Sequence, residues 1–354
     1  MNLDRVEKIA EAVLYEGYML YPYRPSSVKN QQRWNFGVLY PPSWCDRQFG
    51  SDRSSMQTEC LLKTGSSTRL TVKVRFLHIV QRSIAKAVSP TTGSSGPAKP
   101  NLEPVDRLEL AGRVYQPWQE AVERELSYDD LDPADFATMS PLLFSFAEGR
   151  DIDYLRDEQG AAVGAMIREW NALNGSVEIR SLSCHDDVVR IAVQVDNLTG
   201  SDLPMPFESE SRETTLSHSL VSAHTILGAE NGEFLSLLDT PAGFEEEVAH
   251  CQNLGTWPVL ATDNADAVLS SPIILYDHPQ IAPESAGNLF DSTEIDEILS
   301  LRILTLTEDE KREMRQFDDR TRSILERTEQ MPEEQFMKLH GILRGLTPSK
   351  EEMQ

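Results

Sequence analysis

The chain has 354 residues, with 57 acidic against 33 basic side chains and a formal net charge of −24. A surface this acidic repels phosphate backbones and anionic lipid, which argues against nucleic-acid binding and for a basic protein partner. With 40% hydrophobic and 25% charged residues, the composition is that of a folded soluble protein with a large core.

In chain order, Leu3, Val6, Ile9 and Val13 fall at helical spacing and predict a helix over 3–16. The opening MNLDRVEKIAEAV is mixed in charge and lacks the apolar run of a secretion signal. Nothing in the sequence reaches the ~20 apolar residues of a membrane span. The expectation is therefore a cytoplasmic protein with no membrane insertion. Tyr15, Tyr18, Tyr21 and Tyr23 then crowd an extended segment with Pro22 and Pro25. Strands are expected over 34–41 and 56–63. The clearest one is TRLTVKVRFLHIVQR (68–82), where Leu70, Val72, Val74 and Phe76 alternate with polar residues. Such alternation argues for an antiparallel sheet with one wet face.

Residues 88–104, rich in Ser, Thr, Gly and Pro, form either a linker between domains or a long loop within one sheet. RLELAGRVY, from Arg107, reads as a further strand. Residues 117–139 mix helix signals with acids, and 159–173 read as helical. SVEIRSLSC (176–184) and VVRIAVQVDNLT (188–199) form a hairpin across an acidic turn. Strands at 219–227 and 233–238 flank Asn231-Gly232. The C-terminal part is helical, with Thr307 and Glu310 as a capping box. The predicted fold class is α+β: an antiparallel β-rich body, two sheets packed as a sandwich being one arrangement of it, with an N-terminal helix and a helical C-terminal segment. The organisation is 1–87 (helix and first strands), 88–104 (linker or loop), 105–290 (main β-rich region), 291–346 (C-terminal helices) and 347–354 (disordered tail).

The nucleotide-binding glycine loops, the H-E-x-x-H motif and the G-x-S-x-G elbow are all missing. Cys45, Cys60, Cys184 and Cys251 match no zinc spacing, and in a reducing compartment they are free thiols. Cys45 and the Cys184-His185 turn read as ordinary structure, and nothing adjacent lowers the pKa of Cys45. One loose cluster remains, with His224, Glu246, His250 and Cys251 as candidate ligands of a transition metal ion or as acid–base groups. Glu246 and His250 are i, i+4 on a short predicted helix, which is equally a common surface pairing. The segment SSPIILYDHPQIAPES (270–285) is the other candidate. It sets Asp277-His278 after an apolar run taken as a buried strand, and prolines 272, 279 and 283 stiffen it. Adjacent strand residues point to opposite faces, so Asp277 and His278 do not partner each other. Asp277 is expected to cap or bond the loop 279–290. A rigid segment suits recognition, so Tyr276, Asp277, His278, Pro279 and Glu284 are candidate partner-binding residues.

Three stretches carry a resemblance: LYEGYMLYPYRPSSVKNQQRWNFGVLYP (14–41), GEFLSLLDTPAGFEEEVAHCQNLGTWPVL (232–260) and LSSPIILYDHPQIAPESAGNLFDSTEIDEILSLRILTLTEDEK (269–311). Together they resemble an uncharacterised bacterial family associated with nickel–iron hydrogenase gene clusters of the actinobacterial type. The resemblance implies a non-catalytic accessory role in hydrogenase assembly or maturation, with a hydrogenase subunit or maturation factor as partner. The alternative is a metal-binding protein or enzyme using the 218–251 cluster.

Overall fold

The computed structural model describes residues 3–14, 36–47, 50, 52–88, 100–137, 139–185, 187–200 and 211–280, with single positions between 306 and 330. The elements in chain order are α1 (Asp4–Leu14), α2 (Pro42–Cys45), β1 (Ser55–Val88), β2 (Asn101–Val105), β3 (Leu108–Leu110), β4 (Arg113–Tyr115), β5 (Trp118–Leu131), β6 (Leu142–Phe146), β7 (Gly149–Arg156) and β8 (Ala162–Trp170). They continue with β9 (Leu173–His185), β10 (Val188–Asn197), α3 (Arg212–Leu216), β11 (Val221–Leu235), α4 (Glu245–Ala249), β12 (Trp257–Leu260) and β13 (Ala267–Ser271). The chain divides into two units. One comprises Met1–Tyr18 and Gln32–Gln280; the other comprises Met19–Gln31 and Ile281–Gln354.

The first unit is mostly antiparallel sheet. Eleven strands form one continuous sheet, with the main order β12-β13-β11-β1-β10-β9-β6. It curls into a half-barrel where two packed sheets were one expected arrangement, and β3 and β4 pair apart from it as a two-stranded hairpin, where one strand was expected from Arg107. β1 is the spine, 34 residues long. Its first part pairs with β10 and β11, its middle with β11 and β5, and its last part with β8 and β2. The two strands expected at 56–63 and 68–82 are one strand interrupted by a bulge between Thr64 and Arg69. Thr68 holds that bulge. Its hydroxyl accepts the Gly65 N–H at 2.7 Å and donates to the Asn231 carbonyl at 2.7 Å.

The alternation in β1 sorts its two faces as expected. Leu70, Val72, Val74 and Phe76 are fully buried in the largest apolar cluster, alongside Val177, Ile191, Val193 and Leu227. On the other face Lys73 and Arg75 meet acids: Lys73 Nζ lies 2.6 Å from Glu7, and Arg75 lies 3.3 Å from both Glu123 and Glu125. That face is covered by α1, whose Val6, Ile9, Ala10 and Val13 pack on Ile226, Ala261, Ala267 and Leu269.

Two helical expectations are corrected. Residues 162–170 are strand β8, paired with both β1 and β7. AAVGAMI has no polar face to keep wet as a helix, while the last part of β1 needs a partner. Gly164 lets β8 approach, because a Cβ there would come 2.7 Å from the Ala85 carbonyl oxygen. Residues 118–131 are strand β5, followed by a 3-10 turn at Pro133–Ala137. Its acids Glu123, Glu125 and Glu120 pair across the sheet with Arg75, Lys73 and Arg82. The hairpin β9–β10 is as expected. The segment at 34–41 contributes only bridges from Leu39 to Leu220 and Arg53 among its described residues. Val88 pairs with Asn101, so strands on both sides of the 88–104 stretch are neighbours in one sheet.

In the second unit the Lys311 N–H donates to the Thr307 carbonyl at 2.9 Å, and Glu329 pairs with Lys311 and Arg315 at 3.4 and 2.7 Å. Apart from those single positions, the C-terminal helices expected over 291–346 lie outside the described residues, as do the tail after them, the tyrosine-rich segment 15–35 and Glu284. No helix among the described residues is long and apolar enough to cross a membrane.

Candidate functional site

Strand β12 ends the sheet, and an end strand offers unpaired backbone groups to any passing strand. Here the offer is withdrawn residue by residue. In the β12–β13 ladder, Pro258 and Leu260 are the positions whose backbone groups turn outward, since Leu260 spends both of its groups on the outer side. Pro258 has no N–H to give. The Leu260 N–H donates to Asp277 Oδ1 at 2.7 Å, and the Leu260 carbonyl accepts the His278 N–H at 2.6 Å. The other carboxylate oxygen of Asp277 accepts the Ser236 hydroxyl, whose oxygen in turn accepts the Leu238 and Asp239 N–H groups at 3.1 and 2.7 Å. His278 sits at φ +56° and donates Nδ1–H to the Thr262 carbonyl at 3.1 Å. Asp277 and His278 thus stand in for a missing strand. Among the described residues the bonds of Asp277 run back to β12 and to Ser236, and residues 281–290 of the loop it is expected to cap lie outside the described residues. Adjacent residues do take separate partners, as expected.

The same segment is not a buried strand. β13 stops at Ser271, and Pro272 packs against Gly37, at φ +54°, where a Cβ would lie 2.6 Å from the proline ring. Ile273 and Leu275 turn inward onto the α1 cluster. Ile274 and Tyr276 turn outward, 70% and 86% exposed, and Trp257 on β12 is 44% exposed. Trp257 is the register partner of Ser271, the last residue of β13, and Ile274 and Tyr276 follow on the segment that closes β12 through Asp277. Among the expected partner-binding residues, then, Tyr276 is presented outward, Asp277 and His278 are used in closing the edge, and Pro279 is half-buried.

The four candidate metal ligands are not brought together. His224 is fully buried on β11, where its Nδ1–H donates to the Ser222 carbonyl at 2.9 Å. Glu246 and His250 are exposed on and just after α4, and Cys251 packs against Leu61, Val188 and Leu235. Leu235 and His224 are eleven residues apart on the same strand. Among the described residues no three His, Cys, Asp or Glu side chains are placed to share a metal.

The thiols are quiet. Burial, then Asp52 and Asp46, pushes Cys45 up to about 11, and burial pushes Cys60 up as well. Neither is a thiolate near neutral pH.

One polar cluster escaped the sequence analysis. His78 is fully buried, its Nε2–H donating to the Asn171 carbonyl at 3.0 Å while Nδ1 accepts from Arg124 at 3.4 Å. The Asn171 side-chain amide donates to His218 Nε2 at 3.1 Å and to the Ser217 hydroxyl at 2.8 Å. Arg124 lies 4.7 Å above the Phe146 ring. Burial, then the Arg124 cation, lowers the His78 pKa to about 4, so the imidazole is neutral at pH 7. Both ring nitrogens of His78 are engaged. The arrangement ties β1 to the residues after β8 and α3. The signal was visible in the alternation of 68–82, where His78 falls on the same parity as Val74 and Phe76, a core-facing slot.

Searches against family models, curated proteins and solved structures give no match to this chain.

Proposed function

We propose that this chain is a non-catalytic accessory protein that works by binding another protein, and that the margin of β12 is where it binds. The observation that carries this reading is the combination at that margin. The backbone edge is closed by Pro258, Asp277 and His278, while Trp257, Ile274 and Tyr276 stand out on a segment pinned at both ends. Rigid exposed aromatics lose little entropy on binding and are the side chains that anchor interfaces. The closed edge directs recognition to side chains rather than to strand addition. A net charge of −24 favours a partner whose surface is basic around an apolar centre. The resemblance to a hydrogenase-associated family supports a nickel–iron hydrogenase subunit or maturation factor as that partner.

The test is purification of the tagged protein from its own host, with the co-purifying proteins identified by mass spectrometry and metals quantified in the same sample. A hydrogenase subunit or maturation factor in near-stoichiometric amount is expected. Recovery of the chain alone with one tightly held metal ion would overturn the proposal.

A further inference from the structure

We propose that α1 is a pH-released strap, in which protonation of His224 at Nε2 expels the helix and uncovers the β11–β13 face beneath it. This inference stands apart from whatever the β12 margin binds.

His224 and Ile226 share one face of β11, and Ile226 lies under Val6, Ile9, Ala10 and Val13 of α1. The Ser222 hydroxyl donates to the Val13 carbonyl at 3.3 Å, which places the last turn of α1 over this part of β11. His224 is 0% exposed. Its Nδ1–H is used on Ser222, and its Nε2 is buried with no hydrogen-bond partner among the described residues. A buried acceptor without a partner is tolerated while neutral; the same atom carrying a proton is a buried cation without an acceptor.

The surrounding charges do not supply one. The register partner of His224 across β1 is Arg75, itself a cation. The acids near Arg75 are already engaged: Glu123 and Glu125 of β5 hold Arg75 at 3.3 Å each, and Glu7 of α1 holds Lys73 at 2.6 Å. Glu11 of α1 is half-buried, and Arg5 pairs with Asp263 at 3.4 Å, near the start of the helix. Thr225 and its β13 partner Ser270 carry no charge. The carbonyl end of α1 offsets the cost of a cation only in part. Burial, and secondarily Arg75, lowers the His224 pKa to about 4, against about 6.5 for a solvated imidazole. Docking of α1 is therefore fully supported above pH 6.5 and weakens as pH falls toward 4. Release exposes Ile226, Ala267 and Leu269, and removes the support beneath Ile273 and Leu275.

The experiment is hydrogen exchange read by mass spectrometry on the full chain at pH 7 and pH 5, with rates corrected for intrinsic pH dependence. Peptides covering 3–14 are compared with peptides covering 70–82. Protection of α1 should fall on the order of 20-fold, as follows from a group titrating near 4 when docked and 6.5 when released, and at pH 5 it should lie below that of central β1, because the helix opens without the sheet. His224→Gln keeps a donor for Ser222 and does not titrate, so its fall should be under ~3-fold. Glu7→Gln should keep the wild-type fall. The proposal is overturned if His224→Gln falls as far as the wild type, if Glu7→Gln alone abolishes the fall, or if α1 at pH 5 is as protected as central β1 and so opens only with the whole fold. Should His224→Gln fail to fold, the imidazole resonance of His224 in the wild type decides: it must titrate with the loss of α1 protection, and a resonance flat across that range overturns the idea.

Discussion

Between pH 7.5 and pH 4.5 the protein is expected to lose about 2.5 kcal/mol of unfolding free energy through one side chain, His78. The unfolded imidazole titrates near 6.5, and the folded one is held down to about 4 by burial and by Arg124. Over that interval the unfolded state binds a proton that the folded state refuses. Stability contributed by neutral His78 is thus complete above 6.5 and is lost as pH falls through the folded pKa. Carboxylates also titrate over part of this range, so the informative comparison is with His78→Gln. A glutamine can donate its amide N–H to the Asn171 carbonyl and accept from Arg124 with its oxygen, reproducing both bonds without the proton. Chemical denaturation of both proteins at the two pH values should show the wild type losing about 2.5 kcal/mol more than the variant. Equal losses would mean that His78 is not the titrating group.

Asp277→Ala should destabilise by about 2–3 kcal/mol at pH 7, measured by urea denaturation. It removes the acceptor of the Leu260 N–H and of the Ser236 hydroxyl, so one edge amide and one turn lose their support together. The Leu260 amide should also exchange faster, and the protein should self-associate more readily, because an end strand is reopened. Asp277→Asn keeps an oxygen for Leu260 but offers the Ser236 hydroxyl no acceptor, since the two lone pairs of Ser236 are already used by the Leu238 and Asp239 N–H groups, and should recover about half of the loss. An alanine variant as stable as the wild type would remove Asp277 from the account of the edge.

How far the sequence reached depended on how local each cause was. The alternation of Leu70, Val72, Val74 and Phe76 is a property of adjacent residues, and it located the spine and its buried face correctly. The β9–β10 hairpin was legible for the same reason, as was α1 from its spacing. β5 and β8 were not legible as strands. Glu123 and Glu125 lie in a stretch read as mixed helix signals and acids, and the partners that fix it as a strand, Arg75 and Lys73, lie roughly fifty residues back on β1. The 218–251 cluster failed in the opposite way. Its members are close in sequence, but β11 continues as one strand past Asn231-Gly232, where a turn between two strands was expected, and carries His224 away from α4. Asp277 was recognised as a structural acid, but its partners Leu260 and Ser236 could come only from the fold.

The measurement that reaches the central claim most directly is the affinity of the recovered partner for two forms of the chain, read by calorimetry at physiological salt. One form is the wild type; the other carries Trp257→Ser and Tyr276→Ser together, both at exposed positions outside the core. If the β12 margin is the interface, the double variant should unfold at the wild-type midpoint and bind ten- to a hundredfold more weakly, as loss of two aromatic anchors predicts, about 1.4–2.8 kcal/mol. Unchanged affinity in a folded double variant would place binding elsewhere on the molecule and contradict the account.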